Sequence, residues 1–247
     1  MAKRIVDYYD AAYAAELAGR LGALTGFDRD VFMRLTQARL GTETLFARLD
    51  LYAEALDASL PGDVAAHLRA LAALLGPPRE TEAGEYREGW RLMPIARYVE
   101  RYGPADYASS VAFIYEMTQR HTGEFAIRPF LIAEPRRTME TLTCWSRDAN
   151  VHVRRLASEG MRPNLPWGRR TLAALSEPAF YRGILDTLRD DPSRYVTRSV
   201  ANNLNDLYRH QPSWADAIIA DWLAASPSAE TRWLIRHARR NQPPRLP

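Results

Sequence analysis

The sequence predicts an all-α fold, and three observations carry that expectation. Apolar residues recur one helical turn apart in segment after segment, no stretch sustains the alternation of a half-buried strand, and the breaks carry Asp, Ser and Pro placed to start helices. In order, residues 10–24 set Tyr13, Leu17 and Leu21 one turn apart. Asp28 is placed to cap a second helix holding Val31, Phe32, Leu35 and Leu40. Residues 42–60 repeat Leu45, Leu49, Tyr52 and Leu56, and Pro61-Gly-Asp starts a helix running through Leu75. Residues 76–91, with Gly76-Pro77-Pro78 and then Glu80, Glu82, Glu85 and Glu88, read as an acidic, turn-rich connection. A short helix follows near residues 95–100. The next, at 104–121, shows Val111, Ile114, Tyr115 and Thr118 on one face and stops at Thr122-Gly123. Pro129 breaks a helix interior, so Glu124 is expected near a helix start or a kink. Further helices are expected at about 135–146, 149–160, 178–190, 193–209, 212–225 and 227–240.

The helix at 149–160 has Asp148 at the expected N-cap, an apolar stripe of Val153, Leu156 and Ala157, and Gly160 at its close. Glu159 therefore falls in the last turn, where the macrodipole disfavours a carboxylate. A charge so placed points to function more than to stability.

The later pairs are weakly self-similar. Asp-Ala-Asn-Val-His-Val-Arg-Arg (148–155) recurs as Asp-Pro-Ser-Arg-Tyr-Val-Thr-Arg (191–198), matching Val153 with Val196 and Arg155 with Arg198. Pro192-Ser193 recurs as Pro227-Ser228 before a helix bearing Arg232 and Arg236. Helical hairpins at a period of roughly 35–45 residues indicate a superhelical solenoid of HEAT-like repeats, whose concave side is built from second helices. Those helices carry Arg155, Arg198 and Arg236, which predicts a right-handed coil with a basic inner groove. The expected organisation is one domain over residues 1–247.

The net charge of +3 conceals an asymmetry. Residues 1–100 carry 12 Lys+Arg against 15 Asp+Glu, and residues 101–247 carry 21 against 15. Lys3 is the only lysine, so nearly every cation is an arginine, whose planar donors fit two phosphate oxygens at once. Arg147, Arg154, Arg155, Arg162, Arg169 and Arg170 crowd one short region. No apolar run approaches the ~20 residues of a membrane span, and the N-terminus lacks a signal-peptide core. The lone Cys144 forbids an internal disulfide, and a reducing cytoplasm is the default. Zinc-ligand spacing, Gly-rich phosphate loops and a nucleophile elbow are all missing, so no metal or nucleotide cofactor is expected.

Three carboxylates stand out by context: Glu124 after Gly123, Glu159 at its helix end, and Asp206 after the polar run Asn202-Asn203-Leu204-Asn205. Glu159 and Asp206 sit at nearly the same level of successive second helices. Since packed helices lie about 8–10 Å apart, their side chains can converge on one volume. Equally, each can be a surface acid or pair with a nearby arginine. Trp167, in a Pro-Trp-Gly turn, suits either core packing or the covering of a cationic group. Trp90, Trp145, Trp214, Trp222 and Trp233 read as core, Cys144 as core beside Trp145, and His121 and His152 as capping or surface residues.

Four blocks then carry a resemblance: Phe-Ala-Ile-Arg-Pro-Phe-Leu (125–131) after Glu124, Trp-Ser-Arg-Asp-Ala-Asn-Val-His-Val-Arg-Arg-Leu-Ala-Ser-Glu-Gly (145–160), Arg-Pro-Asn-Leu-Pro-Trp (162–167) and Arg-Ser-Val-Ala-Asn-Asn-Leu-Asn-Asp (198–206). In these the chain resembles the AlkC branch of the HEAT-like DNA alkylation-repair glycosylases, over nearly its whole length. The resemblance implies a monofunctional N-glycosylase that removes cationic N3-methylated bases from duplex DNA, with no cofactor and no tight base-flipping pocket. The chief base implied is 3-methyladenine, with 3-methylcytosine as a second candidate. It sets Glu124, Glu159 and Asp206 on the family's active-site carboxylates and Trp167 on its lesion-facing aromatic. Arg154, Arg155 and Asn202 lie in matched blocks. Arg162, Arg169, Arg198 and Arg236 are assigned with them to DNA phosphates. The partner implied is alkylated double-stranded DNA, bound by a cytoplasmic monomer with no membrane contact. Some members carry a further immunoglobulin-like domain; the sequence, ending at Pro247, is expected to lack it and to grip DNA differently.

The rivals are a HEAT-like scaffold that holds damaged or branched DNA without cutting a bond, and a protein-interaction solenoid. Three acids inside a basic groove argue against the first, since they repel phosphate. Arginine-rich second helices argue against the other. The glycosylase reading requires Glu124, Glu159 and Asp206 to gather at one accessible spot on the arginine-lined side.

Overall fold

A computed structural model describes residues 3–38, 40–41, 44–82 and 89–242. These residues are helical with connecting turns, and no strand occurs among them. Contacts divide the chain into two compact units, Met1–Pro129 and Phe130–Pro247.

In the first unit the helices are α1 (Ala11–Leu21), α2 (Arg29–Gln37), α3 (Leu45–Ser59), α4 (Val64–Ala72), α5 (Met93–Tyr102) and α6 (Tyr107–Thr118). Asp10, Asp28, Thr44, Asp63 and Asp106 each accept a backbone N–H of the first turn they precede. Each such cap stabilises its helix by about 1 kcal/mol, which is why these starts are legible in the sequence. α3 packs against both α2 and α5, and α4 against α6. Tyr9, Tyr13 and Tyr52 fill the centre edge to face, with Tyr9 and Tyr13 donating to the carbonyls of Trp90 and Arg91. Some ends differ from expectation. α2 stops at Gln37, short of Leu40; α4 stops at Ala72, short of Leu75; and Pro104 lies in a separate 3-10 turn, Gly103–Ala105, before α6. Thr42 in the expected third helix, and Glu85 and Glu88 in the acidic connection, lie outside the described residues.

α7 (Arg128–Ala133) spans the boundary and opens close to Pro129, at the junction expected after Glu124. The second unit then holds α8 (Pro135–Trp145), α9 (Val151–Glu159), α10 (Pro178–Leu188), α11 (Arg194–Leu207), α12 (Pro212–Ala224) and α13 (Ala229–Ala238). The hairpin pattern is local and repeated. First helices α8, α10 and α12 open on Pro135, Pro178 and Pro212, where a missing N–H is harmless. Second helices α9, α11 and α13 open on the side-chain caps Asn150, Ser193 and Ser228. α9 packs on α11 and α11 on α13, so the second helices form a continuous layer within this unit.

Four side-chain expectations change. The cap of α9 is Asn150, not Asp148; Asp148 Oδ1 accepts the Asn150 N–H at 2.7 Å, as Asp191 Oδ1 accepts that of Ser193 at 2.9 Å. An Asx turn two residues ahead of a cap has the same residue type as a cap, which hid the distinction. His121 and His152 are buried rather than on the surface. Cys144 is exposed rather than core, because Leu142 and Trp145 take the inner face of α8. Trp145 and Trp222 are buried, whereas Trp90, Trp214 and Trp233 are only half-buried.

Candidate functional site

Glu159 ends α9 and Asp206 sits in the last turn of α11, on neighbouring packed helices. One guanidinium joins them. Arg162, three residues beyond Glu159, donates from Nη1 to Glu159 Oε1 at 2.7 Å and from Nε to Asp206 Oδ2 at 3.0 Å. Arg155, one turn before Glu159, adds a second cation at 3.4 Å and lays its guanidinium over the Tyr195 ring at 5.0 Å. Asp206 Oδ2 also accepts the backbone N–H of Asn164 at 3.3 Å. The floor is a polar seam between α9 and α11: Ser158 Oγ donates to Ser199 Oγ at 2.7 Å, and Asn203 Nδ2 donates to the Ser158 carbonyl at 2.8 Å.

Burial acts on the two acids with different outcomes. It raises Glu159, but the charges of Arg155 and Arg162 and hydrogen bonds from Ser199 and Arg162 outweigh it, so Glu159 lies below the usual carboxylate range. For Asp206 burial wins over Arg162 and the Asn164 N–H, and this carboxyl lies above its ordinary value. Arg162 is driven up despite burial by the two acids it touches. Neighbouring acids with separated proton affinities are the arrangement that lets one stay ionised while the other exchanges a proton.

The cluster is closed rather than open. Glu159 and Asp206 are each 4% exposed and Arg162 is 7% exposed. This differs from the accessible acids expected of an open groove. Arg162 turns onto both carboxylates instead of reaching outward, and it is buried along with them. Its spacing from Glu159 was a legible signal, since residues three apart meet even across a helix end.

Glu124 belongs to the first unit, where it is also 4% exposed and accepts from the Thr122 hydroxyl at 2.9 Å. Trp167, by contrast, is 64% exposed and adopts φ 63°, a left-handed conformation unusual for a residue with a side chain. Such strain persists where the surroundings impose it and clusters at ligand sites. Gly168 allows the turn, since a Cβ there would lie 2.9 Å from Leu165 Cδ2.

Among the expected phosphate contacts, Arg169, Arg198 and Arg236 are exposed. Asn202 is half-buried and accepts from Arg240 at 3.1 Å. Arg154 is otherwise engaged. It donates to Asp191 at 2.7 and 3.3 Å and to the carbonyls of Asp148 and Ala149, so its fork ties α9 to the entry of α11 instead of facing outward. Arg155 and Arg162 likewise face carboxylates rather than solvent. The described residues hold no cluster of His, Cys, Asp and Glu suited to a metal ion, and no helix among them is long and apolar enough to cross a membrane.

No family model matches the chain. It is 39% identical over 189 residues to the uncharacterized protein YhaZ of Bacillus subtilis strain 168, covering 76% of this chain and 46% of that one. Among solved structures it is similar to the Pseudomonas fluorescens alkylpurine DNA glycosylase AlkC, determined bound to DNA containing an abasic site analog. That likeness has a TM-score of 0.84 and 34% identity over 97% of this chain and 65% of the other. The chain thus spans less than half the length of the Bacillus protein and just under two thirds of AlkC.

Proposed function

The chain belongs to the AlkC-like branch of the helical-repeat alkylation-repair proteins, and from that premise we propose that it is a DNA glycosylase of base excision repair. It hydrolyses the N-glycosidic bond of cationic N3-alkylated bases, 3-methyladenine first, in duplex DNA. The observation that carries the proposal is the meeting of Glu159 and Asp206, from two second helices, on the single guanidinium of Arg162.

The chemistry follows from charge. A base methylated at N3 is already positive, so it leaves neutral and needs no general acid. What requires stabilisation is the oxocarbenium-like sugar and the water that attacks it, as in glycoside hydrolysis. Carboxylates beside the anomeric carbon serve both needs, through field and as water-orienting base. Glu159, held ionised by its arginines, is the permanent negative charge; Asp206, raised by burial, is suited to exchange a proton with the attacking water. Glu124 is the third carboxylate of the proposal and Trp167 the aromatic that covers the cationic base. In the unbound protein Arg162 provides the positive charge that the lesion later brings. Its transfer to a DNA phosphate would open the acids to the substrate. The reaction needs water alone and no cofactor, and the protein acts on the nucleoid in the bacterial cytoplasm as a monomer.

The burial of both acids beneath Arg162 favours a second reading, a scaffold that binds damaged DNA without breaking bonds. Chromatography of the bases freed from methylated duplex DNA separates the two. The glycosylase yields free 3-methyladenine in proportion to enzyme and time, and the scaffold yields none above the spontaneous rate.

A further inference from the structure

The layer of second helices gathers Arg194, His237 and Arg240, none of them assigned above, around Arg198. On α11 and α13, the Arg194 guanidinium lies 3.8 Å from the centre of the Trp233 ring, and the His237 imidazole stacks on the same tryptophan at 5.0 Å and 10° between planes. Just past α13, Arg240 donates from Nη1 to the His237 carbonyl at 2.7 Å and from Nη2 to Asn202 Oδ1 at 3.1 Å. The charged groups that act on His237 among the described residues are Arg240 beside its own helix and Arg198 and Arg194 from α11, and all three are cations. Burial and then this like charge push His237 below the ordinary imidazole range. Neither Arg194 nor Arg198 has a carboxylate partner among the described residues, and both are exposed. Cations gathered on one face and held by stacking rather than by acids are arranged for an anion.

The position selects which anion. Arg240 also interacts electrostatically with Arg162 and Asp206, so the basic face lies beside the candidate carboxylates. We propose that Arg194, Arg198, His237 and Arg240 form a contact for the phosphodiester backbone next to the target nucleotide, in which His237 takes up a proton from solvent as the DNA docks. The inference rests on the glycosylase reading for its placement, not for its physics. A phosphate placed there replaces repulsion at His237 with attraction, so the bound state holds more protons than the free one. By linkage, duplex affinity then rises as the pH falls through the interval between the two proton affinities, by up to ~10-fold for each unit that separates them.

The test uses undamaged duplex DNA, so it does not depend on base release. Fluorescence anisotropy at fixed salt from pH 8 to 5.5 is expected to show wild-type affinity rising about tenfold, while the affinity of His237→Gln rises less than about twofold over the same interval. In the wild-type protein, NMR titration of the His237 imidazole is expected to move to higher pH when duplex is added and to stay in place with millimolar inorganic phosphate. Replacing Arg194 and Arg198 by Gln is expected to lower the slope of log affinity against log salt by about two, close to 0.9 for each phosphate that is no longer neutralised. The proposal is overturned if His237→Gln keeps the wild-type pH dependence, if the imidazole titrates identically with and without duplex, if inorganic phosphate shifts it as far as DNA does, or if the salt slope is unchanged. A protein that binds with proton uptake yet frees no 3-methyladenine strikes the glycosylase reading alone.

Discussion

Replacing Arg162 by Met removes the group on which the candidate site is built while retaining an unbranched apolar side chain of similar reach. In the native protein the side chains of Arg162, Glu159 and Asp206 are 8%, 6% and 5% exposed, and the arginine bridges the acids at 2.7 and 3.0 Å. Taking one partner from a buried ion pair leaves a charge without compensation and costs about 3–5 kcal/mol. Arg155 still faces Glu159 at 3.4 Å, so the lower half of that range is expected, with Asp206 losing most. For a chain of this size, about 3–4 kcal/mol corresponds to a fall in Tm of roughly 10 °C. The pH dependence contributed by Glu159 should also change sign. In the native protein Glu159 lies low, so its contribution is complete above about pH 4.5 and is lost as pH falls through its folded value. In the variant the acids bind protons more tightly folded than unfolded, so stability is greatest at low pH and declines as pH rises toward neutrality. Urea unfolding followed by circular dichroism from pH 3 to 8 measures both effects. The triple replacement Arg162→Met, Glu159→Gln, Asp206→Asn is expected to recover most of the loss at pH 7. A single variant within about 1 kcal/mol of wild type and parallel to it in pH would refute the reasoning.

Asp206→Asn keeps the shape but removes a charge that burial disfavours, so stability at pH 7 is expected to stay the same or rise by up to ~1 kcal/mol, read from the same urea midpoints. Trp167→Ala, at an exposed and strained position, is expected to leave Tm within about 2 °C while lowering kcat/KM for base release by roughly 3- to 30-fold, the range of a cation–π contact. Arg154→Met is expected to destabilise by about 2–3 kcal/mol through the stranded Asp191, yet to leave the salt dependence of duplex binding unchanged; a shallower salt slope would return Arg154 to the phosphates.

Much of the fold was legible because the signals were local. Asp10, Asp28, Asp63 and Ser193 announce helix starts by reaching the next turn's N–H groups, and Pro135, Pro178 and Pro212 do so by lacking one. The kinship of 148–155 with 191–198 was equally visible, and the structure gives its reason: each segment repeats an Asp whose carboxylate accepts the N–H of the cap. What escaped was decided by tertiary packing. The convergence of Glu159 and Asp206 is readable from helix level, but the return of Arg162 onto both depends on the path of the chain after Gly160. Arg154 and Arg198 look alike in sequence. One meets Asp191 and the other faces solvent, because only the first sits across from the next repeat's Asx turn. The stack of Arg194, Trp233 and His237 joins residues about forty apart and has no signature in either helix alone.

The most direct measurement is the single-turnover rate of base release from a duplex carrying one 3-methyladenine, with enzyme in excess over DNA. Wild type is compared with Glu159→Gln, an isosteric change that removes only charge. The expectation is excision well above the spontaneous rate for wild type and a loss of about 10²- to 10³-fold in the variant, as when a group that stabilises charge in the transition state is removed. Equal rates for the two proteins, or a wild-type rate no faster than spontaneous depurination, would contradict it.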